Sequence, residues 1–230
     1  IYTPDGRSLY LTRDLATAKY RAETFHFDRA LYVVGAPQAL HFKQLKSVLK
    51  LMGYSWATRI EHVAFGHVLG MKTRSGGEFV ELNQFIEEAT QLALKAYHEQ
   101  VAKRPENLDE ALVSERVALA AIIFSNLSKN RLKDVSFSWK HALEFQGDSG
   151  PYLLYAYARI NGIWEKVKEA HKEIAENAEQ MDLSAIDFSL LAEDSSFQVI
   201  LKIEEFEDTL RQAAQLNEPN ELAEYALELA

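Results

Sequence analysis

Two polar side chains near the start of the sequence have the types and spacing of a small binding site. Tyr10 and Asp14 lie four residues apart, where the short extended piece Ser8–Leu11 is predicted to meet a helix. A helical turn there would place both side chains on one face. A carboxylate can accept two parallel N–H donors from a planar cationic group. In the alternative interpretation, Asp14 caps the helix and Tyr10 packs.

Gln38 and three histidines, His41, His62 and His67, are further candidates for a binding or metal site. Gln38 follows the apolar run Leu31–Val34, in the position where open α/β sheets bind their ligands. His41 lies near the start of the next helix, where a lone histidine is more often a surface or capping residue. His62 and His67 are five residues apart on one predicted strand and would face opposite sides, so their spacing does not favour a metal pair. No metal site is predicted.

A strand–helix–strand unit must position these residues. Leu31–Val34 is a continuous apolar run with β-branched residues, which predicts a fully buried parallel strand. Apolar residues from Phe42 to Met52 recur at helical spacing, and Gly53 stands where a C-terminal cap is expected. Ile60–Leu69 is predicted to be the second strand. Such a unit places the carboxyl ends of both strands at one edge.

From Leu82 onward the apolar residues follow a helical period. The polar stretch Lys103–Asp109 indicates a domain boundary. The predicted fold class is α/β followed by all-α, with domains at 1–78 and 109–230 and a connecting helix and linker at 79–108. Further helices are predicted at 82–97, 113–124, 152–168 (with Pro151 in its first turn), 197–216 and 218–230.

Composition limits the function classes. The 230 residues carry a net charge of −9 and no cysteine, which excludes disulfides and thiolate metal sites and argues against a general nucleic-acid binder. Through Gln100 there are 12 Lys and Arg against 10 Asp and Glu, and 13 against 24 thereafter. RNA bound to the second half would therefore be recognised by shape and stacking. Alternatively, the acidic surface is only a solvated helical face. No apolar run is long enough to predict a membrane span.

A basic loop, Met71-Lys-Thr-Arg-Ser-Gly76, follows the predicted strand–helix–strand unit. Judged alone it is a solvated loop. It follows Tyr32-Val-Val-Gly-Ala-Pro-Gln-Ala-Leu-His41-Phe-Lys-Gln44 and His62-Val-Ala-Phe-Gly-His-Val68, and this order resembles the later half of a class I aminoacyl-tRNA synthetase catalytic domain. The residue types are similar to those of the arginyl-tRNA synthetase family.

The resemblance implies three groups of site residues. Arginine would be held by Tyr10, Asp14 and Gln38, because a guanidinium is planar and rich in donors. His41 would lie close to the substrate or the ribose and is assigned to ATP. Adenosine would rest on the strand that carries Phe65, Gly66 and Val68, where the alternative is a strand glycine that marks a bulge. The ATP phosphates would be met by Lys72, Thr73 and Arg74.

The basic loop departs from the general Lys-Met-Ser-Lys-Ser signature of class I synthetases. Gly70 stands for the first Lys, Lys72 for the Ser and Thr73 for the second Lys. Many arginyl-tRNA synthetases are similarly degenerate. The other class signature, His-x-Gly-His, is absent, because none of the seven histidines lies in one.

A second resemblance covers the following helices. Phe124-Ser-Asn-Leu-Ser-Lys-Asn130-Arg-Leu-Lys-Asp134-Val-Ser-Phe-Ser-Trp139 and Phe145-Gln-Gly-Asp-Ser-Gly-Pro-Tyr-Leu-Leu-Tyr155-Ala-Tyr-Ala-Arg159 are similar to the start of that family's anticodon-binding domain. It implies that Tyr152 and Tyr155 stack on unpaired anticodon bases, with Arg159 one turn away. In the alternative, these rings belong to the helical core.

Together the resemblances imply a C-terminal part of a Rossmann-like nucleotide-binding domain joined to a helical-bundle anticodon-binding domain. The implied activity is ATP-dependent activation of L-arginine, with Mg²⁺, and its transfer to tRNA(Arg). We expect an internal fragment of a longer protein, inactive by itself, from a monomeric and cytoplasmic bacterial-type enzyme, with an organellar origin left open. The rival interpretations are a non-catalytic, synthetase-derived tRNA-binding or scaffold module, and a helical interaction protein.

Overall fold

The computed structural model describes residues 4–69, 81–100, 108–172, 187–191 and 193–230. The contacts divide the chain into two units. The first comprises Ile1–His67 with Arg131–Asp134, and the second comprises Val68–Asn130 with Val135–Ala230. The predicted domain boundaries after residues 78 and 108 lie within or directly beside undescribed segments, so they stay predictions.

The first unit is built on two parallel strands. Strands β1 (Ala30–Gly35) and β2 (Ile60–Phe65) pair in register, from Ala30 opposite Ile60 to Gly35 opposite Phe65. The predicted parallel strand–helix–strand unit is therefore confirmed. Full burial of β1 is wrong: Leu31 is 46% and Val33 65% exposed, while their neighbours face the core. A run of apolar residues alone cannot tell a strand covered on both faces from one covered on a single face.

Two helices cover the inner face of this sheet. Helix α1 spans Tyr10–Phe25 and helix α2 spans Ala39–Leu51, and a 3₁₀ turn, Ala36–Gln38, joins β1 to α2. Their apolar faces meet in a core that contains Ala18, Phe42, Leu45, Leu49, Ala57 and Ile60.

The ends of these helices test two sequence predictions. Gly53 ends α2 as predicted, with φ +86°, and the Gly53 and Tyr54 amides donate to the last carbonyls of the helix. The extended piece predicted at Ser8–Leu11 is confirmed only for Ser8 and Leu9, because α1 already begins at Tyr10. Leu11 and Leu15 both pack against the core of this unit.

The predicted strand Ile60–Leu69 is interrupted. Strand β2 ends at Phe65, and a separate strand, β3 (Val68–Leu69), pairs in parallel with β4 (Val135–Ser136). The premise that His62 and His67 share one strand is therefore wrong, because His67 lies beyond the end of β2.

A distant segment, Arg131–Asp134, occupies the position where the strand was expected to continue. The Gly66 amide donates to the Arg131 carbonyl at 2.7 Å, and the Arg131 guanidinium donates to the Ala64 carbonyl at 2.7 Å. The His67 amide donates to the Asp134 carboxylate at 2.7 Å. These bonds replace the partners that a continuing parallel strand would have provided.

The described part of the second unit is mainly helical. Its helices are α3 (Leu82–Gln100), α4 (Glu110–Leu127), α5 (Trp139–Ala142), α6 (Gly150–Ala170), α7 (Asp194–Glu204), α8 (Phe206–Leu216) and α9 (Pro219–Leu229), with a 3₁₀ turn at Phe188–Leu191. Helices α3 and α4 pack through small residues such as Ala89, Ala93, Ala118 and Ala121. The single helix predicted at 197–216 is two helices that meet at Glu205.

Helix α6 begins as predicted, with Pro151 in its first turn. The Ser149 hydroxyl accepts a hydrogen bond from the Tyr152 amide at 3.1 Å and caps the helix. Gly150 lies against α4, and an added Cβ would stand 2.2 Å from the Ala120 carbonyl oxygen. Only glycine permits this close approach of the two helices.

Lys202 connects two of the last helices. Its ammonium donates to Glu205 and also pairs with Glu228 on α9. These two carboxylates raise the pKa of Lys202 above its ordinary value, with the bond to Glu205 contributing most.

Replacement of Gly66 tests the contact with the distant segment. A Cβ at Gly66 would lie 2.5 Å from the Lys133 carbonyl oxygen, which is backbone and cannot move aside without displacing the segment. Gly66→Ala should therefore lower the free energy of unfolding by about 1–3 kcal/mol, measured as a shift of the urea midpoint by circular dichroism.

Gly35→Ala is the matched control, because Gly35 ends the paired strand and its added Cβ would meet only Pro37 at 3.6 Å. It should change the midpoint far less. Equal midpoints for the two variants would show that Arg131–Asp134 does not press on Gly66 in solution.

Candidate functional site

Three polar side chains come together on α1 and α2. The Nε2 atom of His41 lies 2.6 Å from Oδ2 of Asp14, and the rings of Tyr10 and His41 are 4.9 Å apart. Tyr10 and Asp14 therefore share one helix face, as their spacing predicts. The capping alternative for Asp14 is wrong, because Asp14 lies one turn inside the helix and the N-cap position is Leu9. We call Tyr10, Asp14 and His41 the α1–α2 cluster.

The position of His41 follows from the packing of α2. Its neighbour Phe42 is buried and stacks on the ring of His62 with centroids 4.5 Å apart. The His62 ring in turn lies 2.9 Å from the Val34 carbonyl oxygen of β1, through Nε2. Since Phe42 fixes the rotation of α2 against the sheet, the preceding residue His41 points towards α1.

The α1–α2 cluster is partly open to solvent. The side chains of His41 and Asp14 are 17% and 25% exposed, and Tyr10 is 63% exposed. An ionised carboxylate only accepts hydrogen bonds, so the short contact requires a proton on His41 Nε2. The cluster can thus offer a carboxylate and a phenolic hydroxyl to a ligand with several donors.

Gln38 lies close in sequence to this cluster. It ends the 3₁₀ turn after β1, occupies the N-cap position of α2 and is exposed. It therefore follows the carboxyl end of a parallel strand, as predicted. Whether Gln38 shares a ligand with Asp14 stays a prediction.

The residues assigned to ATP are less closely grouped. Phe65 ends β2 opposite Gly35 and is 44% exposed, and Val68 in β3 is 39% exposed. The Gly66 amide and the space beside it are occupied by Arg131–Asp134.

His41, which was also assigned to ATP, contacts the arginine-assigned residues Tyr10 and Asp14. Lys72, Thr73 and Arg74 lie outside the described residues, so their roles stay predictions.

The residues assigned to the anticodon lie on α6. Tyr155 is 45% exposed, and the Arg159 guanidinium carbon lies 5.8 Å from the centre of its ring. Tyr152 is partly buried at the start of the helix. Tyr155 is therefore more accessible to a stacking base than Tyr152, and the assignment of all three residues to tRNA stays a prediction.

Arg131 and Asp134 bond to the end of β2 and to the residues that follow it, and the sequence analysis did not identify them. They organise the carboxyl end of β2, but they lie 67 positions from their partners Ala64 and His67. No hydrophobic period or turn motif predicts a contact between residues so far apart in the sequence.

No described helix is long and apolar enough to span a membrane. Within the same residues, no group of three or more histidine, aspartate or glutamate side chains could hold a metal ion.

Comparison with known families gives two matches that together cover most of the chain. Residues 1–139 match the family "tRNA synthetases class I (R), catalytic domain". Residues 153–230 match the "DALR anticodon binding domain". The order of the two matches is the order of the predicted α/β and all-α parts.

Individual relatives agree with these matches. The chain is 41% identical to an arginine–tRNA ligase of Clostridioides difficile and 37% identical to one of Leuconostoc citreum, over 98% of the chain and 38% of each relative. An arginyl-tRNA synthetase structure from Thermus thermophilus aligns with a TM-score of 0.80 at 25% identity, covering 99% of this chain and 41% of that one. One from Plasmodium falciparum aligns with a TM-score of 0.80 at 24% identity, covering 100% of this chain and 38% of that one, which supports the fold.

The chain thus spans 38% of the length of these curated relatives. Within that span, the matches confirm the predicted fold class, a class I catalytic domain followed by a helical anticodon-binding domain. The chain belongs to the class I tRNA synthetases of the arginine type.

Proposed function

We propose that the protein containing this chain attaches arginine to tRNA(Arg) in an ATP-dependent reaction. The observation that carries this proposal is the α1–α2 cluster, in which a partly open carboxylate stands beside a phenol within a chain of this family. A carboxylate with a free oxygen suits a guanidinium, because the planar cation presents parallel N–H donors.

The chemistry would run in two steps. The carboxylate of arginine attacks the α-phosphate of ATP, so that a carbon–oxygen–phosphorus linkage forms and pyrophosphate leaves. A ribose hydroxyl at the tRNA end then attacks the activated carbonyl, forms the ester and releases AMP. Asp14, Tyr10 and Gln38 would contribute by holding the arginine side chain, so that its carboxylate meets the phosphate in a fixed position.

ATP would be bound by a different part of the chain. The proposed adenosine contacts are Phe65 and Val68, whereas the Gly66 amide and the space beside it are occupied by Arg131–Asp134. Lys72, Thr73 and Arg74 would stabilise charge on the departing pyrophosphate. Mg²⁺ would arrive on the phosphate oxygens of ATP, since this ion commonly binds through substrate phosphates and one or two carboxylates. A monomeric state and a cytoplasmic location stay predictions.

The tRNA would be recognised by α6. Tyr155 offers an exposed ring with Arg159 beside it, and stacking does not require a basic surface. This mode suits a chain with a net charge of −9, whose overall field repels phosphate.

The experiment that tests the proposed activity is ATP–pyrophosphate exchange by the full-length protein, with and without tRNA(Arg). Exchange should depend on arginine and should not be supported by lysine, whose single ammonium lacks the paired donors of a guanidinium. An exchange rate that is the same with and without arginine would contradict the proposal.

Asp14→Asn should raise the KM for arginine in this assay by about 10- to 100-fold, since loss of a charge-assisted bond costs about 1.5–3 kcal/mol. The KM for ATP should hardly change. Asp28→Asn, which alters an exposed carboxylate, is the control and should leave both constants unchanged. An unchanged KM for arginine with a lowered melting temperature would show that Asp14 is only structural.

Tyr155→Ala should weaken tRNA(Arg) binding by about one to two decades, because stacking of one base on an aromatic ring contributes about 1–3 kcal/mol. Tyr155→Phe keeps the ring and should be milder. Tyr152→Ala should also weaken binding, with some loss of stability because this ring is partly buried.

Tyr157→Ala is the matched control, because Tyr157 is 66% exposed on the same helix and lies two positions away, on a different face. Affinities should be compared beside melting temperatures. An unchanged affinity of Tyr155→Ala for tRNA(Arg) would show that the anticodon contact lies elsewhere.

A further inference from the structure

His41 occupies a place that its sequence assignment to ATP does not explain. Its Nε2 atom bonds to Oδ2 of Asp14 at 2.6 Å, and its side chain is only 17% exposed. It is therefore more enclosed than Asp14 or Tyr10, the two residues that face a prospective ligand. A largely enclosed side chain that is bonded to a binding carboxylate acts on that carboxylate more directly than on a nucleotide.

We propose that His41 is a positioning residue for arginine recognition, which holds Oδ2 of Asp14 so that Oδ1 remains available to the guanidinium. This inference rests on the proposed function and deepens it. It assigns His41 to the amino-acid side of the site, where it acts through Asp14 and does not itself need to touch substrate.

The surroundings of His41 make it suitable as a fixed donor. Its ring packs against Tyr10 at 4.9 Å on one side and meets the ring of buried Phe42 edge-on at 5.4 Å. Phe42 is fixed in turn by its stack on His62. Since these contacts restrict the rotation of the imidazole, its N–H points at Asp14 without further ordering.

A held carboxylate binds a planar cation better than a mobile one. The Asp14 side chain is 25% exposed, so without a partner it could sample more than one rotamer. Ordering a side chain upon binding reduces affinity, and ordering it beforehand avoids that loss. The bond to His41 also leaves the second oxygen of Asp14 without competition from the imidazole, which is the geometry that a guanidinium donor requires.

The test uses His41→Ala, which removes the donor, and His41→Gln, whose side-chain amide can restore an N–H at a similar reach. Both are assayed by arginine-dependent ATP–pyrophosphate exchange in the full-length protein. His41→Ala should raise the KM for arginine about tenfold with little change in the KM for ATP, the loss expected for one charge-assisted bond. His41→Gln should recover most of that loss at an unchanged melting temperature.

A double variant separates positioning from an independent role. If His41 acts through Asp14, the double variant Asp14→Asn with His41→Ala should raise the KM for arginine no more than Asp14→Asn alone, because the two residues share one interaction. Effects that multiply would overturn the inference.

Other outcomes are equally decisive. A raised KM for ATP with an unchanged KM for arginine would show that His41 contacts the nucleotide and would overturn the inference. A KM for arginine that is as high in His41→Gln as in His41→Ala would also overturn it. Unchanged kinetics in both variants, with an active wild type, would overturn the inference alone. A wild-type protein without arginine-dependent exchange would overturn the proposed function as well.

Discussion

The parallel pairing of β1 with β2 is the constraint on which the site depends. Parallel neighbours cannot be joined by a tight turn, so the chain must cross the sheet between them, and here it does so through α2. The crossover begins at the carboxyl end of β1, which places Gln38 and His41 there. Further along the helix, Phe42 and Leu45 are buried in the core and fix α2 against the sheet. The polar start of this helix is thus a consequence of the sheet topology.

The same packing brings Asp14 to His41. Helix α1 contributes Ala18 to the core shared with α2, and Asp14 lies one helical turn before Ala18. Because Ala18 is small, α1 and α2 approach closely, and the Asp14 side chain one turn away is long enough to reach the His41 imidazole. The contact at 2.6 Å is therefore supported by core packing on both helices.

Glycine at position 66 shows why a residue type alone does not identify a ligand site. Its sequence context resembles a strand that a nucleotide approaches closely, and glycine is what such an approach requires. The space beside Gly66 is nevertheless filled by the backbone of Lys133 and Asp134. The requirement for glycine is explained by the packing of the chain itself, whatever else the exposed Phe65 contacts.

Local signals were enough to predict much of this fold. The end of α2 at Gly53, the first turn of α6 at Pro151 and the parallel pair of strands all follow from short-range patterns. The break after Phe65 could not be predicted, because its cause is a segment far away in sequence. Leu11 suited both an extended piece and a helix face, and only its packing against the core of the first unit decides between them.

The candidate site, like the fold, could be predicted from the sequence only where the signal is local. The spacing of Tyr10 and Asp14 was sufficient to place them on one face, whereas the partnership of Asp14 with His41 needed the packing of two helices. A hydrogen bond between residues 27 positions apart leaves no periodic trace in either helix.

The central claim is that the Asp14 carboxylate recognises the positive charge of a guanidinium. Its most direct test compares arginine with citrulline, which has nearly the same shape but a neutral ureido group, in pyrophosphate exchange by the full-length protein. We expect kcat/KM for citrulline to be at least about 100-fold below that for arginine in the wild type, because a charge-assisted pair is lost. In Asp14→Asn the ratio of the two kcat/KM values should be smaller. Comparable exchange with arginine and citrulline in the wild type would show that Asp14 does not recognise the charge.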